Sequence, residues 1–595
     1  MTKRKTLKSA VWGRSILIAC ALTLCAATAR AGPKKISPDL DNLKPSDRVD
    51  IIVQFNQAPT AALDQKALHA GGRLKHLLPL LNAGAYAQVP ASVLSELVAD
   101  PDVLHISTDL PLHMAATTPS AYLDYHNETM NAAAGWNQGL NGAGVGVAVI
   151  DSGLAAVDDL TARNVVYSQD FVADNGSSPS DRFGHGTHVA GIIAGNGIDS
   201  TGLLDSYTFR GVAPGVNLIN LRVLDNSGNG QDSDVIAAIQ TAVQLRVSYN
   251  IRVINLSVGR GVFESYTVDP LCQAVEQAWR AGIVVVVSAG NEGRNTAARS
   301  GRYGSITAPG NDPFVITVGA MNTLGTPDRT DDIPTTYTSR GPTLIDQIVK
   351  PDIVAPGNLI VSLYQPGETL SHEFPGNEIP LTVYQPKGIA GISSSYFLLS
   401  GTSMAAPMVS GTAALMLQQH PALTPDQVKA RLMLTAFKHL VPFSTITDPT
   451  SGITYNVEAD LFTVGAGYLD VQAALNNTNL APANVGSALS PYASVNNNGS
   501  VVLVMGSRYV QPTGMVWGTG MVWGTGMVWG TGMVWGTGMV WGTDTNGDSL
   551  VFAPQNLAGE GMVWGTSADQ ADGMVWGTSS ASAELSAFGD LPMSQ

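Results

Sequence analysis

The chain has 595 residues, a formal net charge of −15 at pH 7, 44% hydrophobic residues and 63 glycines. This length exceeds one ordinary hydrophobic core and predicts two or three domains. The acidic balance argues against a nucleic-acid partner, because phosphate recognition needs clustered Lys and Arg side chains. With only 13% charged residues, the composition favours a loop-rich globular protein over a coiled coil or a disordered chain.

The first 31 residues have the features of an export signal. They contain six basic and no acidic side chains, and an uncharged stretch over 15–29 ends in small residues. Cys20 and Cys25 lie in this segment, so its removal would leave Cys272 alone and no internal disulfide. We therefore expect residues 1–31 to be a signal peptide and the protein to be secreted.

Residues 48–114 combine two kinds of pattern. Strand-like segments fall at 51–55, 85–89 and 103–107, and helix-like segments at 60–70 and 91–99. This order predicts a small α+β sandwich with both helices on one face of a sheet.

From residue 118 to residue 475, apolar strand patterns alternate with helix patterns. They fall at 145–150, 189–194, 216–224, 234–245, 253–258, 270–281 and 283–287. Apolar strands separated by helices predict an α/β fold, a parallel sheet with helices on both faces. Residues 365–394 carry turn-forming and acidic residues with little periodicity, so we interpret them as a surface insertion.

Residues 476–595 form a low-complexity tail that contains the repeat Gly-Met-Val-Trp-Gly-Thr. Five copies run in tandem over 514–543, and two more follow at 561–566 and 573–578. In an extended chain the even period places Met and Trp on one face and Val on the other. The uncharged tandem block favours surface association or self-association. A flexible tail without such a partner is the alternative.

One segment of the α/β region is suited to nucleophilic catalysis. Gly401-Thr402-Ser403-Met404-Ala405-Ala406-Pro407 leads into an apolar run of small residues, which predicts a helix start. Ser403 then lies in the first turn, where unpaired N–H groups and the helix dipole favour developing negative charge. A serine becomes a strong nucleophile only with a base, a group that orients the base, and oxyanion donors.

Three upstream segments supply these groups. Asp151 ends an apolar strand pattern and is expected at the carboxyl edge of the sheet. His185 lies in Gly-His-Gly-Thr-His at a loop-to-helix junction, and His188 one turn later is interpreted as a packed structural histidine. Asn291 follows another buried strand pattern and supplies an amide donor.

These blocks, in this order, resemble the subtilisin-like serine peptidases over the predicted α/β domain, residues 118–475. The resemblance implies that Asp151 orients the imidazole and that His185 is the general base and acid. It implies that Ser403 attacks the scissile carbonyl, and that the Asn291 side chain and the Ser403 backbone N–H hold the oxyanion. At position 152 the chain has Ser where many relatives have Thr, which keeps the hydroxyl.

The same resemblance implies a substrate-binding groove. Ser257, Val258 and Gly259 match the segment whose backbone pairs with an extended peptide and whose glycine opens the primary side-chain pocket. Ala289 and Gly290 match the opposite wall. Such pairing is strand addition, in which main-chain bonds give affinity and a few pockets give specificity.

The resemblance further implies that residues 48–114 are an inhibitory propeptide, with a permanent accessory domain as the alternative. We interpret the chain as a secreted serine endopeptidase that hydrolyses peptide or protein substrates through an acyl-enzyme. A surface adhesion protein on a peptidase-like scaffold is the alternative function. The chemistry requires no cofactor. Structural calcium is common in the family, but no block identifies a site, and 544–548 lacks the glycine and glutamate of a calcium loop.

Overall fold

The computed structural model describes most of the chain before residue 496 and five short strands after it. The described residues are 35–40, 43–58, 72–112, 124–160, 164–172, 178–203, 205–385, 390–448, 451–495, 501–504, 533–535, 539–541, 551–553 and 563–564. The predicted signal peptide, the predicted helix at 60–70, the calcium-loop candidate at 544–548 and most repeat residues lie outside these ranges.

The N-terminal unit is built on an antiparallel sheet. Its elements are β1 (Arg48–Phe55), β2 (Arg73–Leu78), β3 (Ala83–Pro90), helix α1 (Leu94–Ala99) and β4 (Val103–Thr108). The strand order is β2-β3-β1-β4, so the first strand in sequence lies between the third and the fourth. Apolar side chains of β1, including Val53 and Phe55, pack with Leu94 and Leu97 of α1 in a separate core. Strand β2 was not predicted. After this unit, β5 (Pro111–Leu112) runs to the edge of the next one.

The main unit contains the predicted parallel sheet. Its strands are β6 (Gly146–Asp151), β7 (Val165–Asp170), β8 (Asn217–Arg222), β10 (Ile251–Leu256), β11 (Val284–Ser288), β12 (Ile316–Asn322) and β13 (Ile353–Pro356). These seven strands are ordered β7-β8-β6-β10-β11-β12-β13, with neighbours parallel, and the two-residue strand Ile333–Pro334 pairs antiparallel with β12. The α/β fold with a parallel sheet is therefore confirmed. Two-residue strand β9 (Gly230–Gln231) lies outside this sheet and pairs with β5.

Helices cover the sheet as two contacting pairs. One pair is α2 (His185–Ala194) with α5 (Thr402–Gln419), and the other is α3 (Asp232–Leu245) with α4 (Pro270–Arg280). Residues 402–417 of α5 are all buried. Small residues allow this, since a Cβ on Gly411 would lie 2.7 Å from the Cβ of Val212. No helix in the described part of the chain is long and apolar enough to cross a membrane.

Further helices complete the unit. α6 (Pro425–Thr435) begins with the predicted cap, in which the Thr424 side chain accepts from the Gln427 backbone N–H and the Gln427 side chain returns the bond. α7 (Val471–Asn476) lies at the end of the predicted α/β domain. Shorter helices lie at His126–Thr129, Ala133–Asn137, Thr369–Glu373 and Leu461–Val464, and a hairpin is formed by Phe443–Thr447 and Thr454–Glu458.

The segment at 365–394 differs from the predicted surface insertion. It contains helix Thr369–Glu373 and strand Glu378–Pro380, which joins β14 (Ile360–Leu363) and β15 (Ile392–Leu399) in an antiparallel sheet. The side chains of Leu370, Ile379 and Tyr384 are buried in the main core. Their irregular spacing has no helical or strand period, which is why the sequence pattern did not indicate burial.

The described parts of the repeats are short strands. Met533–Trp535 pairs antiparallel with Met539–Trp541, and the latter pairs parallel with Val563–Trp564.

Candidate active site

The core of the site is a short contact between a carboxylate and an imidazole. Asp151 is the last residue of β6 and His185 the first of α2, and both side chains are buried. His185 Nδ1 lies 2.8 Å from Asp151 Oδ1. A carboxylate only accepts, so Nδ1 carries the proton and Nε2 presents its lone pair. Nε2 has no hydrogen-bond partner among the described residues.

Close backbone packing makes this contact possible. A Cβ on Gly186 would lie 2.3 Å from the carbonyl oxygen of Gly153, so only glycine lets α2 begin this close to the end of β6. The Ser152 hydroxyl accepts from the Gly186 N–H at 2.8 Å and donates to Asp181 at 2.9 Å. The hydroxyl retained at position 152 therefore joins the two catalytic loops.

Asp181 organises the start of α2, although the sequence analysis did not single it out. Its carboxylate accepts from the backbone N–H groups of Phe183, Gly184 and Thr187 at 3.1, 2.8 and 2.8 Å. It also accepts from the Thr187 hydroxyl at 2.7 Å. Complete burial raises the pKa of Asp181, and these hydrogen bonds oppose that rise. An aspartate just before a helix start was the signal that could have found it.

The predicted nucleophile lies in the first turn of α5. Ser403 is 4% exposed. Its hydroxyl donates to the Ser257 carbonyl at 3.2 Å, and the Ser257 hydroxyl donates to the Ser403 carbonyl at 2.9 Å. In this structure Ser403 is thus held by Ser257, the residue after β10, and it does not donate to His185 Nε2. Catalytic hydrogen bonds often tighten only when substrate binds.

The amide of Asn291 is oriented by the same helix start. Asn291 Oδ1 accepts from the Thr402 backbone N–H at 3.0 Å and from the Thr402 hydroxyl at 3.1 Å. A backbone N–H can only donate, so the oxygen of the amide must face it and Nδ2 must face away. A Cβ added to Gly401 would lie 3.2 Å from Asn291 Nδ2, so Nδ2 lies beside the first turn of α5. It is therefore an N–H donor next to Ser403.

The predicted pocket walls converge on Thr307, a residue that was not predicted. A Cβ on Gly259 would lie 2.5 Å from Thr307 Oγ1, and a Cβ on Gly290 would lie 2.7 Å from Thr307 Cγ2. The Thr307 N–H donates to the Ala289 carbonyl at 3.1 Å. Val258 is buried. Both walls therefore approach too closely for side chains at the two glycines.

His188 is separate from this chemistry. Its Nε2 lies 3.1 Å from the carbonyl oxygens of both Ile360 and Phe397. Burial, together with the nearby His185, lowers the pKa of His188 to about 3. A neutral histidine fixed by two carbonyls agrees with the predicted structural role.

No metal site was identified in this region. Within the ranges that the structure describes, no group of three or more His, Cys, Asp or Glu side chains is placed to hold a metal ion. The acidic residues at 225–234 have other contacts: Asp225 accepts from two backbone N–H groups of its own turn, and Asp232 pairs with Arg260. Structural calcium stays an expectation without a site.

A parallel sheet with an Asp–His pair, a helix-start serine and an oriented amide along one edge is typical of serine hydrolases. The subtilase family model matches residues 142–474. The chain belongs to this family and is a subtilisin-like serine endopeptidase.

Individual relatives support the same assignment. Serine protease AprX of Bacillus subtilis (strain 168) is 38% identical over 304 residues, which is 50% of this chain and 62% of that protein. Subtilisin E of the same strain is 33% identical over 398 residues, covering 66% of this chain and 86% of that protein. Fervidolysin from Fervidobacterium pennivorans superposes with a TM-score of 0.53 at 23% identity, over 74% of this chain and 62% of its own, and shares the fold.

Proposed function

We propose that the chain is a secreted endopeptidase that cleaves peptide bonds with Ser403 as nucleophile, His185 as general base and acid, and Asp151 as the orienting group. The observation that carries this proposal is the 2.8 Å contact between Asp151 Oδ1 and His185 Nδ1, which leaves Nε2 as the base. Secretion rests on the signal pattern of residues 1–31.

The reaction follows from these positions. Ser403 Oγ attacks the scissile carbonyl while His185 Nε2 takes its proton, and Asp151 stabilises the imidazolium that forms. Asn291 Nδ2 and the Ser403 backbone N–H donate to the tetrahedral oxyanion. Nε2 then protonates the departing amine and leaves an acyl-enzyme. A water molecule then attacks the acyl-enzyme while His185 Nε2 takes its proton. Nε2 returns that proton to Ser403 Oγ, and the carboxylic acid product is released.

The substrate would bind as an added strand. We assign the primary pocket to Ser257, Val258 and Gly259 on one side and to Ala289 and Gly290 on the other. Support for strand addition comes from the chain itself, because β5 pairs antiparallel with β9: Pro111 lies opposite Gln231 and Leu112 opposite Gly230. An extended segment from the N-terminal unit thus occupies one edge of the main unit.

We further propose that residues 48–114 are the inhibitory propeptide. Asp109 accepts from the Ser233 backbone N–H at 2.7 Å and from its hydroxyl at 2.6 Å, and so caps α3. His76 Nε2 lies 2.6 Å from Asp234 in the first turn of α3, and His105 Nε2 lies 2.7 Å from Glu264. These contacts hold the N-terminal unit against the main unit, which supports an intramolecular inhibitor, with a permanent accessory domain as the alternative.

The oxyanion assignment predicts a specific loss. Asn291→Ala should lower kcat about 10²–10³-fold, because one donor to the developing oxyanion disappears. Asn291→Asp is the sharper variant: its oxygen still accepts from Thr402, but it has no N–H to donate. Both variants should lower kcat on a short peptide with little change in KM. Full activity in a folded Asn291→Asp protein would contradict the assignment.

We propose that the repeat tail holds the enzyme to a surface or to other copies of itself, through its repeated apolar faces. Deleting 514–595 should leave kcat/KM for a short peptide within a few-fold of the full chain, since all proposed site residues precede it. Retention on cells or on insoluble substrate should fall.

A length-matched control separates the repeats from mere tail length. Replacing the seven repeat tryptophans with serine keeps the chain length and removes the large apolar surfaces. This variant should lose retention as the deletion does. Unchanged retention in both variants would contradict the association role. Loss of peptide hydrolysis in a folded, processed variant would mean that the catalytic domain includes part of the tail.

A further inference from the structure

Arg260 follows the pocket residue Gly259 directly and is 6% exposed. Its Nε donates to both carboxylate oxygens of Asp232, at 2.8 and 3.1 Å. Its Nη2 donates to both oxygens of Asp269, at 2.9 and 2.8 Å. Asp232 and Asp269 are fully buried. One guanidinium is therefore held by two buried carboxylates in the planar, forked geometry that only arginine provides.

The two carboxylates belong to two different helices. Asp232 is the first residue of α3. Asp269 caps α4 by accepting from the Leu271 and Cys272 backbone N–H groups at 2.9 and 3.4 Å. The side chain of Arg260 thus ties the residue after Gly259 to the starts of α3 and α4. These elements are rigid supports for a loop that carries no regular structure of its own.

The backbone of Arg260 is fixed on the opposite side. Its N–H donates to the Ala308 carbonyl at 3.1 Å, and the Ala308 N–H donates to the Arg260 carbonyl at 2.8 Å. Ala308 follows Thr307, the residue on which both pocket walls converge. Arg260 therefore joins the wall of Gly259 to the segment of Thr307 through its backbone, and both to the helices through its side chain.

We propose that Arg260 is a positioning residue that sets the spacing between Gly259 and Thr307, and thereby the enzyme's preference for the residue before the scissile bond. This inference rests on the proposed endopeptidase function and on the assigned pocket. Arg260 does not touch the substrate in this scheme. It acts by holding a wall that would otherwise shift by tenths of an ångström, which is enough to change how side chains of different size fit.

The charges around Arg260 explain why a lysine could not replace it. Asp232 and Asp269 are both beside the guanidinium. Burial raises the pKa of Asp232, and the positive charge of Arg260 opposes that rise. A lysine ammonium is a point charge on a flexible stem and cannot make two bidentate contacts. Arg260→Lys would keep the charge and release one helix from the wall.

The test uses the protein as it is secreted after processing, with a series of short peptides that differ only in the residue before the cut, from Ala through Val and Leu to Phe. Arg260→Lys should reduce the ratio of kcat/KM between the best and the poorest peptide at least about 5-fold. The change should lie mainly in KM for the best peptide, with kcat within about 3-fold of wild type.

Arg329→Lys is the matched control. Arg329 Nη1 lies 2.7 Å from Asp470 Oδ2, and Asp470 caps α7 by accepting from the Ala473 N–H at 2.9 Å. It is likewise an arginine bound to a helix-capping aspartate, without a backbone link to the pocket. This variant should lower the melting temperature and leave the preference ratio unchanged.

If Arg260→Lys does not fold, Asp269→Asn tests the same positioning role by weakening the contact between Arg260 and residue 269. It preserves the shape and a cap oxygen but removes one charge from the network, and it should flatten the preference in the same direction. An unchanged ratio in whichever of these variants folds would overturn the role of Arg260. Failure of the wild-type enzyme to cleave any peptide of the series would instead contradict the proposed function itself.

Discussion

Ser403→Ala should abolish peptide hydrolysis, lowering kcat by about 10⁶. The three triad groups act as a unit, so removal of the nucleophile removes covalent catalysis entirely and leaves only binding and the oxyanion donors. The same variant should accumulate as an uncut precursor, because we expect the chain to cleave itself between about residues 110 and 120. Initial rates on a short peptide and the intact mass of the secreted protein measure the two effects.

Ser410→Ala is the control for this experiment. Ser410 is a buried serine on the same helix, and its hydroxyl donates to Asn255 Oδ1 at 2.8 Å. Its loss should lower stability without preventing hydrolysis or processing. Activity that persists in purified Ser403→Ala protein would remove Ser403 as nucleophile. Normal processing of that variant expressed alone would assign the cut to another protease.

The parallel sheet explains why sequence blocks so far apart form one site. In the register of β6 and β10, Ile150 lies opposite Leu256, so Asp151 and Ser257 follow side by side. In the register of β10 and β11, Leu256 lies opposite Val287, which places the loop with Ala289 next to Ser257. Carboxyl ends of neighbouring parallel strands meet at one edge, and every predicted site residue follows or faces such an end.

Sequence patterns could predict this much because the relevant signals are local. Each of these signals can be recognised within a few residues of sequence. They are an apolar run ending in Asp151, a His185 flanked by glycines and a run of small residues after Ser403. The alternation of strands and helices predicts a parallel sheet but not the order of its strands, which only the folded chain shows.

The contacts of Asp181, Thr307 and Arg260 could not be predicted in the same way, although the position of Asp181 just before a helix start indicates a cap. Each acts through contacts with residues that are remote in sequence or in a different element: Asp181 through Ser152, Thr307 through Gly259 and Gly290, and Arg260 through Asp232. A single polar residue in a loop has no periodic signature, so only the folded chain shows what it holds. The same reason applies to the buried residues of 365–394.

Asp151→Ala is the second large effect, with an expected loss in kcat of about 10⁴. The variant removes the acceptor that holds the proton on His185 Nδ1 and the charge that stabilises the imidazolium. Ser403 and the oxyanion donors remain, so the loss should be smaller than in Ser403→Ala. Single-turnover rates on a short peptide, with thermal unfolding as a check on folding, measure it. Activity within tenfold of wild type would contradict the orienting role.

Asp151→Asn separates the charge from the acceptor. Asp151 Oδ1 accepts from His185 Nδ1 at 2.8 Å and from the Ser152 backbone N–H at 2.7 Å, so both bonds end on one oxygen. Because a backbone N–H must face an acceptor, the asparagine should keep its oxygen there and its amide nitrogen at the Oδ2 position. His185 then keeps its tautomer, and only the charge is lost. We therefore expect Asp151→Asn to be clearly more active than Asp151→Ala. Equal losses of about 10⁴ would mean that the amide turns its N–H toward Nδ1 and forces the wrong tautomer on the base.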